Sequence, residues 1–229
     1  MSHLRAVLID LDGTLMDTVP DLAEAANRMR ADFGLPALPV SRVSEYVGKG
    51  ADVLVHRSLT DRMDGEAAPE RFAPARAAFT RHYHAVNGKA SVVFEGVPDA
   101  LKRLREHGWR LACVTNKPSE FTLPLLQRAG LCTLLDAVVS GDEVQHRKPH
   151  PEIVLQACSR LRVTPGETVM IGDSINDVLA ARAAGVRVIL VESGYNEGES
   201  VASLADEPGV DAIVPGLIDA ARWLEHARS

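Results

Sequence analysis

The chain alternates short apolar runs with longer segments whose apolar residues recur every three or four positions. The first run, Ala-Val-Leu-Ile at residues 6–9, is followed by acidic residues and a glycine, which is typical of a buried strand and a turn. Five later apolar runs are predicted as strands, the last one weaker than the others: residues 111–116, 137–142, 168–173, 187–193 and 211–214.

Helical patterns lie between most of these runs. In residues 97–108, for example, Val97, Leu101 and Leu104 share one helical face and a glycine marks the end. Strands that alternate with helices predict a parallel sheet covered by helices on both faces. The predicted fold class is therefore α/β, with a Rossmann-like parallel sheet core.

One interval between strands is much longer than the others. Residues 13–110 separate the first two strands by 98 positions, counted from 13 through 110, whereas a crossover connection needs only about a dozen. We therefore expect residues 15–90 to form an inserted all-helical cap subdomain over the end of the first strand. The α/β core is then discontinuous and comprises residues 1–14 and 91–229.

The predicted cap begins with an amphipathic helix. Thr18 and Asp21 have the spacing of a capping box, and Pro20 suits a first helical turn. The apolar residues that follow fall on one face: Leu22, Ala25, Ala26, Met29 and Phe33. Further helices are predicted from residues 40–59 and 69–87, and no part of the insertion predicts a strand.

Composition narrows the class of partner. The 229 residues are 46% hydrophobic and 24% charged, and their net charge of −6 comes without a dense Lys/Arg block. This argues against nucleic acid or an anionic membrane and favours a small-molecule partner. The N-terminal apolar stretch is too short for a signal peptide, and no later segment approaches a membrane span, so a cytoplasmic protein is expected. A monomer and a homodimer both remain open.

Polar residues recur at the carboxyl ends of four predicted strands. In strand order they are Asp10 and Asp12, Thr115 and Asn116, Lys148, and Asp173 and Asp177. Such residues converge at one edge of a parallel sheet, where ligands bind. An all-oxygen set without Cys or His suits Mg²⁺. The four carboxylates carry −4, and a divalent ion with Lys148 reduces this to −1, so the site needs a metal before it can accept an anion.

These residues lie in four ordered motifs: D-x-D-G-T at 10–14, V-T-N at 114–116, R-K-P-H-P-E at 147–152 and G-D-S-I-N-D at 172–177. With them the chain resembles the haloacid dehalogenase-like superfamily over its whole length. The resemblance implies Mg²⁺-dependent phosphoryl transfer. Asp10 would be the nucleophile that forms an aspartyl-phosphate, and Asp12 would protonate the leaving alkoxide and then activate water. Because dehalogenases lack the second Asp, phosphoryl transfer is favoured over dehalogenation.

The resemblance also assigns the remaining residues. Catalytic or substrate-holding roles at the transferring phosphoryl group fall to three residues: Thr115, Asn116 and Lys148. The implied metal ligands are the Asp10 and Asp173 side chains and the Asp12 backbone carbonyl, with Asp177 beside them.

The cap should select the substrate, because the core holds only the phosphoryl group. Residues 46–59 and 192–201 resemble bacterial phosphoglycolate phosphatases, which implies 2-phosphoglycolate. Gly48 and Gly50 would let backbone amides approach an anion while Lys49 supplies charge, although the same stretch also suits a flexible turn. A Lys49 Schiff base, as in phosphonoacetaldehyde hydrolases, is a further option without other support.

Several alternatives remain open at this stage. The substrate could be another phosphate ester, such as a sugar phosphate or N-acetylmuramate 6-phosphate, or it could be pyrophosphate. A phospho-aspartate signalling receiver combines similar residues on a parallel sheet, but it is about half this length and has no insertion. A catalytically inactive binding protein is disfavoured, because every motif position is retained.

Overall fold

The computed structural model describes residues 4–228. Its strands, in chain order, are β1 (Ala6–Ile9), β2 (Met16–Asp17), β3 (Val92–Val93), β4 (Arg110–Val114), β5 (Ala137–Val139), β6 (Thr168–Gly172), β7 (Arg187–Val191) and β8 (Val210–Val214). The α-helices are α1 (Val19–Asp32), α2 (Val40–Glu45), α3 (Ala51–Thr60), α4 (Pro69–Val86), α5 (Val97–Glu106), α6 (Ser119–Arg128), α7 (Glu152–Leu161), α8 (Ile175–Ala184) and α9 (Leu217–Arg228). Between residues 4 and 228, none of the helices combines the length and apolarity that a bilayer crossing requires.

Six strands form one parallel sheet in the order β5-β4-β1-β6-β7-β8. Strand β1 is central, and Ala6 lies opposite both Arg110 of β4 and Thr168 of β6. After β1, the chain adds β4 and then β5 on one side of β1. It then crosses to the other side and adds β6, β7 and β8 in that order. The strand order therefore reverses between β1 and β6, which is where ligands bind in open α/β sheets.

Helices cover both faces of the sheet, which confirms the predicted α/β class. Val7 and Ile9 of β1 belong to an apolar cluster that includes side chains of α5 and α9, and Ala6 and Leu8 belong to another that includes side chains of α7 and α8. All four β1 residues are buried. The sequence of the strand is therefore a continuous apolar run, as expected for a strand that is buried on both faces.

Helices α1 to α4 bury a third apolar cluster, which contains Leu22, Met29 and Tyr46. A two-stranded antiparallel ribbon, β2 with β3, lies where the chain leaves the core and returns to it. The expectation that the insertion has no strand was wrong at this point. Two-residue strands are too short to show an alternation of apolar and polar positions, so the pattern could not reveal them.

The helical segments predicted within residues 40–59 are α2 and α3, and a turn at Gly48 and Gly50, both of which have positive φ angles, separates them. The predicted capping box of α1 is corrected. Thr18 makes no side-chain capping bond with α1. Asp21 instead accepts hydrogen bonds from the backbone amides of Gly88, Ala90 and Ser91, at 2.8–2.9 Å, and so ties α1 to the segment that leads back to the core.

Candidate active site

The two central strands bring the first carboxylates together. Asp10 directly follows β1 and Asp173 directly follows β6, so the two acids leave neighbouring strands at the same edge. Gly13 lets the β1 loop approach Asp173: its φ is +89°, and a Cβ there would lie 2.4 Å from Asp173 Oδ2. Tyr195 donates its backbone N–H to the same oxygen at 2.8 Å.

Lys148 reaches this group from the loop after β5. Its Nζ lies 2.9 Å from Asp10 Oδ1 and 2.7 Å from Asp177 Oδ1, and its side chain is almost completely buried. The amide side chain of Asn116 fixes the Lys148 backbone, because its Oδ1 accepts from the Lys148 N–H and its Nδ2 donates to the Lys148 carbonyl, each at 2.9 Å. Nδ2 also donates to the Gly48 carbonyl at 3.0 Å.

Asp177 is held from two sides. Ser174 and Asp177 form a capping box at the start of α8, in which Asp177 Oδ2 accepts from the Ser174 backbone N–H at 3.2 Å. The same oxygen also accepts from the Ser174 hydroxyl at 2.9 Å. The other oxygen, Oδ1, accepts from Lys148. Asp177 therefore supports both the helix start and the buried lysine.

The buried carboxylates favour a cation. Burial raises the pKa of Asp10 well above its ordinary value, with further increases from the charges of Asp177, Asp173 and Asp12, while Lys148 opposes the rise. Burial, followed by the charge of Asp177, raises the pKa of Asp173 to about 7. Carboxylate oxygens of Asp10, Asp173 and Asp177 lie within 4.8 Å of one another, which is a suitable set of hard donors for a divalent ion.

Asp12 lies outside this cluster and has different partners. Its Oδ1 accepts from Lys117 Nζ at 2.6 Å and from the Thr18 hydroxyl. Lys117 is a residue that sequence reasoning missed, although it directly follows Asn116 at the same sheet edge. Tyr195 lies nearby, where its hydroxyl donates to Asp17 at 2.7 Å and accepts from the Thr18 N–H.

The remaining predicted residues lie around one cavity. Thr115 is buried and lines it, as do Gly48 and Gly50. Lys49 is half exposed, and its Nζ forms an ion pair with Glu197 at 3.2 Å. Asp10, Asp12 and Asp173 also line this cavity, and apolar side chains of the helical insertion line another part of it: Leu22, Val47, Leu54 and Phe79.

Comparison with known proteins agrees with this arrangement. The sequence profile of the haloacid dehalogenase-like hydrolase family matches residues 7–191. A phosphoglycolate phosphatase of Nitrosospira multiformis is 46% identical over 97% of this chain and 96% of its own length, and one encoded on a plasmid of Cupriavidus necator is 47% identical over 95% and 94%.

A solved structure shows the same similarity in three dimensions. A predicted phosphoglycolate phosphatase from Haemophilus somnus superposes with a TM-score of 0.88 at 30% identity, covering 98% of this chain and 99% of its own. The family match, the relatives and the shared fold confirm the resemblance found in the four motifs. The chain belongs to the haloacid dehalogenase-like hydrolase family.

Proposed function

We propose that this protein is a Mg²⁺-dependent phosphatase that hydrolyses 2-phosphoglycolate to glycolate and phosphate. The observation that carries the proposal is the buried contact between Asp10 and Lys148 beside Asp173, at the point where the strand order reverses. The names of the most similar relatives supply the substrate. The apolar cluster of α1 to α4 supports the proposal that residues 15–90 form a cap on a core of residues 1–14 and 91–229.

In the proposed reaction a carboxylate oxygen of Asp10 attacks phosphorus, and the bond from phosphorus to the ester oxygen breaks. Asp12 gives its proton to the departing alkoxide, which leaves as glycolate. Asp12 then takes a proton from water, which attacks the aspartyl-phosphate and releases phosphate together with the free Asp10 carboxylate. Lys117 and Thr18 hold Asp12 in place through both steps.

The charges at Asp10 explain why cations are needed. A carboxylate about 4 Å from a phosphate dianion experiences a repulsion of about 8 kcal/mol at an effective dielectric constant near 20. Lys148 contributes one positive charge in direct contact with Asp10. Asp10, Asp173 and the Asp12 carbonyl, with Asp177 nearby, would hold Mg²⁺, which would supply two further positive charges and polarise the phosphoryl group. We assign the phosphoryl oxygens to Thr115, the Asn116 backbone and Lys148.

Replacing the nucleophile tests the reaction type. Asp10→Asn should lower kcat by at least about a thousandfold and keep the folded circular dichroism spectrum, because the amide cannot form the phosphoryl intermediate. Asp142→Asn is a matched control: Asp142 also follows a strand of this sheet, but it accepts hydrogen bonds from Ser119 outside the cavity. Turnover by Asp10→Asn equal to that of the wild-type protein would refute the assignment.

A substrate panel tests the choice of ester. We expect the highest kcat/KM for 2-phosphoglycolate among a set that includes sugar phosphates, N-acetylmuramate 6-phosphate and pyrophosphate. A higher value for any other member would transfer the assignment to that ester. The lifetime of the phosphorylated enzyme separates a hydrolase, in which it should last seconds or less, from a signalling receiver, in which it would persist for minutes to hours.

A further inference from the structure

The cavity wall includes a buried tyrosine hydroxyl that interacts with the ammonium of Lys117. Tyr83 lies on α4, its side chain is 1% exposed, and it lines the same cavity as Asp10 and Asp12. Its hydroxyl forms no hydrogen bond of normal geometry with any residue between 4 and 228. Because a buried hydroxyl without a hydrogen bond of normal geometry costs free energy, an acceptor group of a ligand beside Tyr83 and Lys117 would be favourable.

An ammonium group lies beside this tyrosine. Lys117 Nζ is 5.3 Å from the centroid of the Tyr83 ring and 2.6 Å from Asp12 Oδ1. Lys117 is the only cationic side chain among the described residues that line the cavity. Two other cations near this end of the insertion, Lys49 and Arg57, both pair with Glu197 at 3.2 Å.

The ammonium of Lys117 lies in the cavity wall beside Asp12. An anionic group on the substrate would be attracted to this positive charge. The surrounding walls include Leu54, Phe79 and Phe121, and such apolar surroundings strengthen an ion pair by excluding water.

The shape of the substrate places its second anion in the same region. In 2-phosphoglycolate only one methylene group separates the carboxylate from the ester oxygen that Asp12 protonates. The carboxylate must therefore lie close to Asp12, and Lys117 is in direct contact with Asp12. Burial raises the pKa of Tyr83 to about 12 against the opposing charge of Lys117, so its hydroxyl keeps the proton that it can donate.

We propose that the Tyr83 hydroxyl and the Lys117 ammonium together bind the carboxylate of the substrate and so select carboxylated phosphate esters. This inference rests on the proposed function and adds the residues that determine specificity. Sugar phosphates would place hydroxyls against the apolar part of the wall, where Leu54, Phe79 and Phe121 offer no hydrogen-bonding partners.

Ethyl phosphate tests the inference, because it keeps the ester and lacks the carboxylate. The measurement is kcat/KM for 2-phosphoglycolate divided by kcat/KM for ethyl phosphate, with Mg²⁺ present. We expect Tyr83→Phe to lower this ratio about tenfold or more, since it removes one hydrogen bond to a charged group. Lys117→Met should lower the ratio further and also slow both substrates, because it leaves Asp12 without its main partner.

Tyr46→Phe is the matched control. Tyr46 also belongs to the apolar cluster of α1 to α4, but its hydroxyl donates to Asp61 at 2.8 Å and lies outside the cavity wall. The ratio should be unchanged in Tyr46→Phe. An unchanged ratio in Tyr83→Phe, with the wild-type protein still preferring 2-phosphoglycolate, would overturn the subsite and leave the proposed function intact.

Binding provides a readout that does not depend on turnover. In the Asp10→Asn background, calorimetry should show that adding Tyr83→Phe weakens 2-phosphoglycolate binding about tenfold and changes ethyl phosphate binding less. Equal losses for the two esters would overturn the subsite. If neither ester is hydrolysed by the wild-type protein, the proposed substrate fails, while this difference in affinity still decides whether the cavity recognises a carboxylate.

Discussion

At the scale of single residues, one buried ammonium group partly balances the buried carboxylates of this site. Lys148 contacts both Asp10 and Asp177 with almost no exposure to water, and its pKa is raised because these carboxylates outweigh the effect of its burial. Such a pair contributes little net stability compared with an apolar isostere, but it is strongly destabilising when only one partner is removed.

Lys148→Met should therefore destabilise the metal-free protein by about 3 kcal/mol, as measured by urea unfolding, and should nearly abolish activity. Lys102→Met is the control, because Lys102 is 60% exposed and lies 3.9 Å from Asp99. Exposed pairs of this kind contribute at most about 1 kcal/mol. Equal unfolding free energies for the two variants would contradict the charge argument.

Glycine 13 is the second position where one residue determines the site geometry. Gly13→Ala combines a left-handed backbone with a Cβ placed 2.4 Å from Asp173 Oδ2, so we expect a loss of about 3 kcal/mol and a displaced Asp173. Gly34 also has a positive φ, +67°, but a Cβ there would meet nothing within 4 Å. Gly34→Ala should lose only about 1 kcal/mol and retain activity. Thermal unfolding and initial rates distinguish the two variants.

At the scale of elements, helix α1 is attached to the segment that returns to the core by a contact that the sequence pattern did not indicate. Asp21 is buried and accepts from three backbone amides of residues 88–91 and from the Ser91 hydroxyl. It thereby fixes the angle between the start of α1 and the returning segment, next to the β2 and β3 ribbon.

Asp21→Ala should cost about 3 kcal/mol, because it leaves three partly buried backbone amides without acceptors. Asp99→Ala is a matched change: Asp99 also lies in the first turn of a helix, α5, but its side chain is 79% exposed. It should cost about 0.5 kcal/mol through the helix dipole alone. Chemical denaturation measures both values, and similar losses would mean that Asp21 acts only as a helix-terminal charge.

At the scale of the whole molecule, the carboxylate cluster links stability to pH and to metal. The pKa of Asp173 is about 7 in the folded protein against an ordinary value of 3.8, mainly because of burial. Between these values the folded state keeps a proton that the unfolded state has lost. Asp173 therefore lowers the stability of the metal-free protein as pH rises from about 4 to 7.

Mg²⁺ should reverse this trend, because it binds the ionised carboxylates. At a fixed Mg²⁺ concentration the increase in Tm over a chelator-treated sample should grow between pH 5 and pH 8, and Asp173→Asn should remove most of that growth. Chelation should also abolish phosphatase activity, and added Mg²⁺ should restore it. A Tm increase that does not depend on pH would contradict binding at this cluster.

The local pattern of apolar, polar and turn residues was sufficient to predict the fold class and the edge of the sheet that carries the acidic residues. An apolar run followed by a turn residue is a property of neighbouring positions, so β1 and the order of strands and helices could be inferred directly. The placement of Asp10, Asp173 and Lys148 at one edge followed from parallel strand geometry, which requires no knowledge of side-chain contacts.

Only the tertiary structure decided which side chains meet. Three contacts show this: Lys117 contacts Asp12, Asn116 contacts the Lys148 backbone, and Asp21 contacts residues 88–91. Each of them joins positions that are 32 to 105 residues apart in the sequence. Periodicity records which face of an element is buried, but it carries no information about the partner on the other element. The sequence alone thus determined the class of the fold and the kind of chemistry, and long-range packing determined which side chains line the cavity.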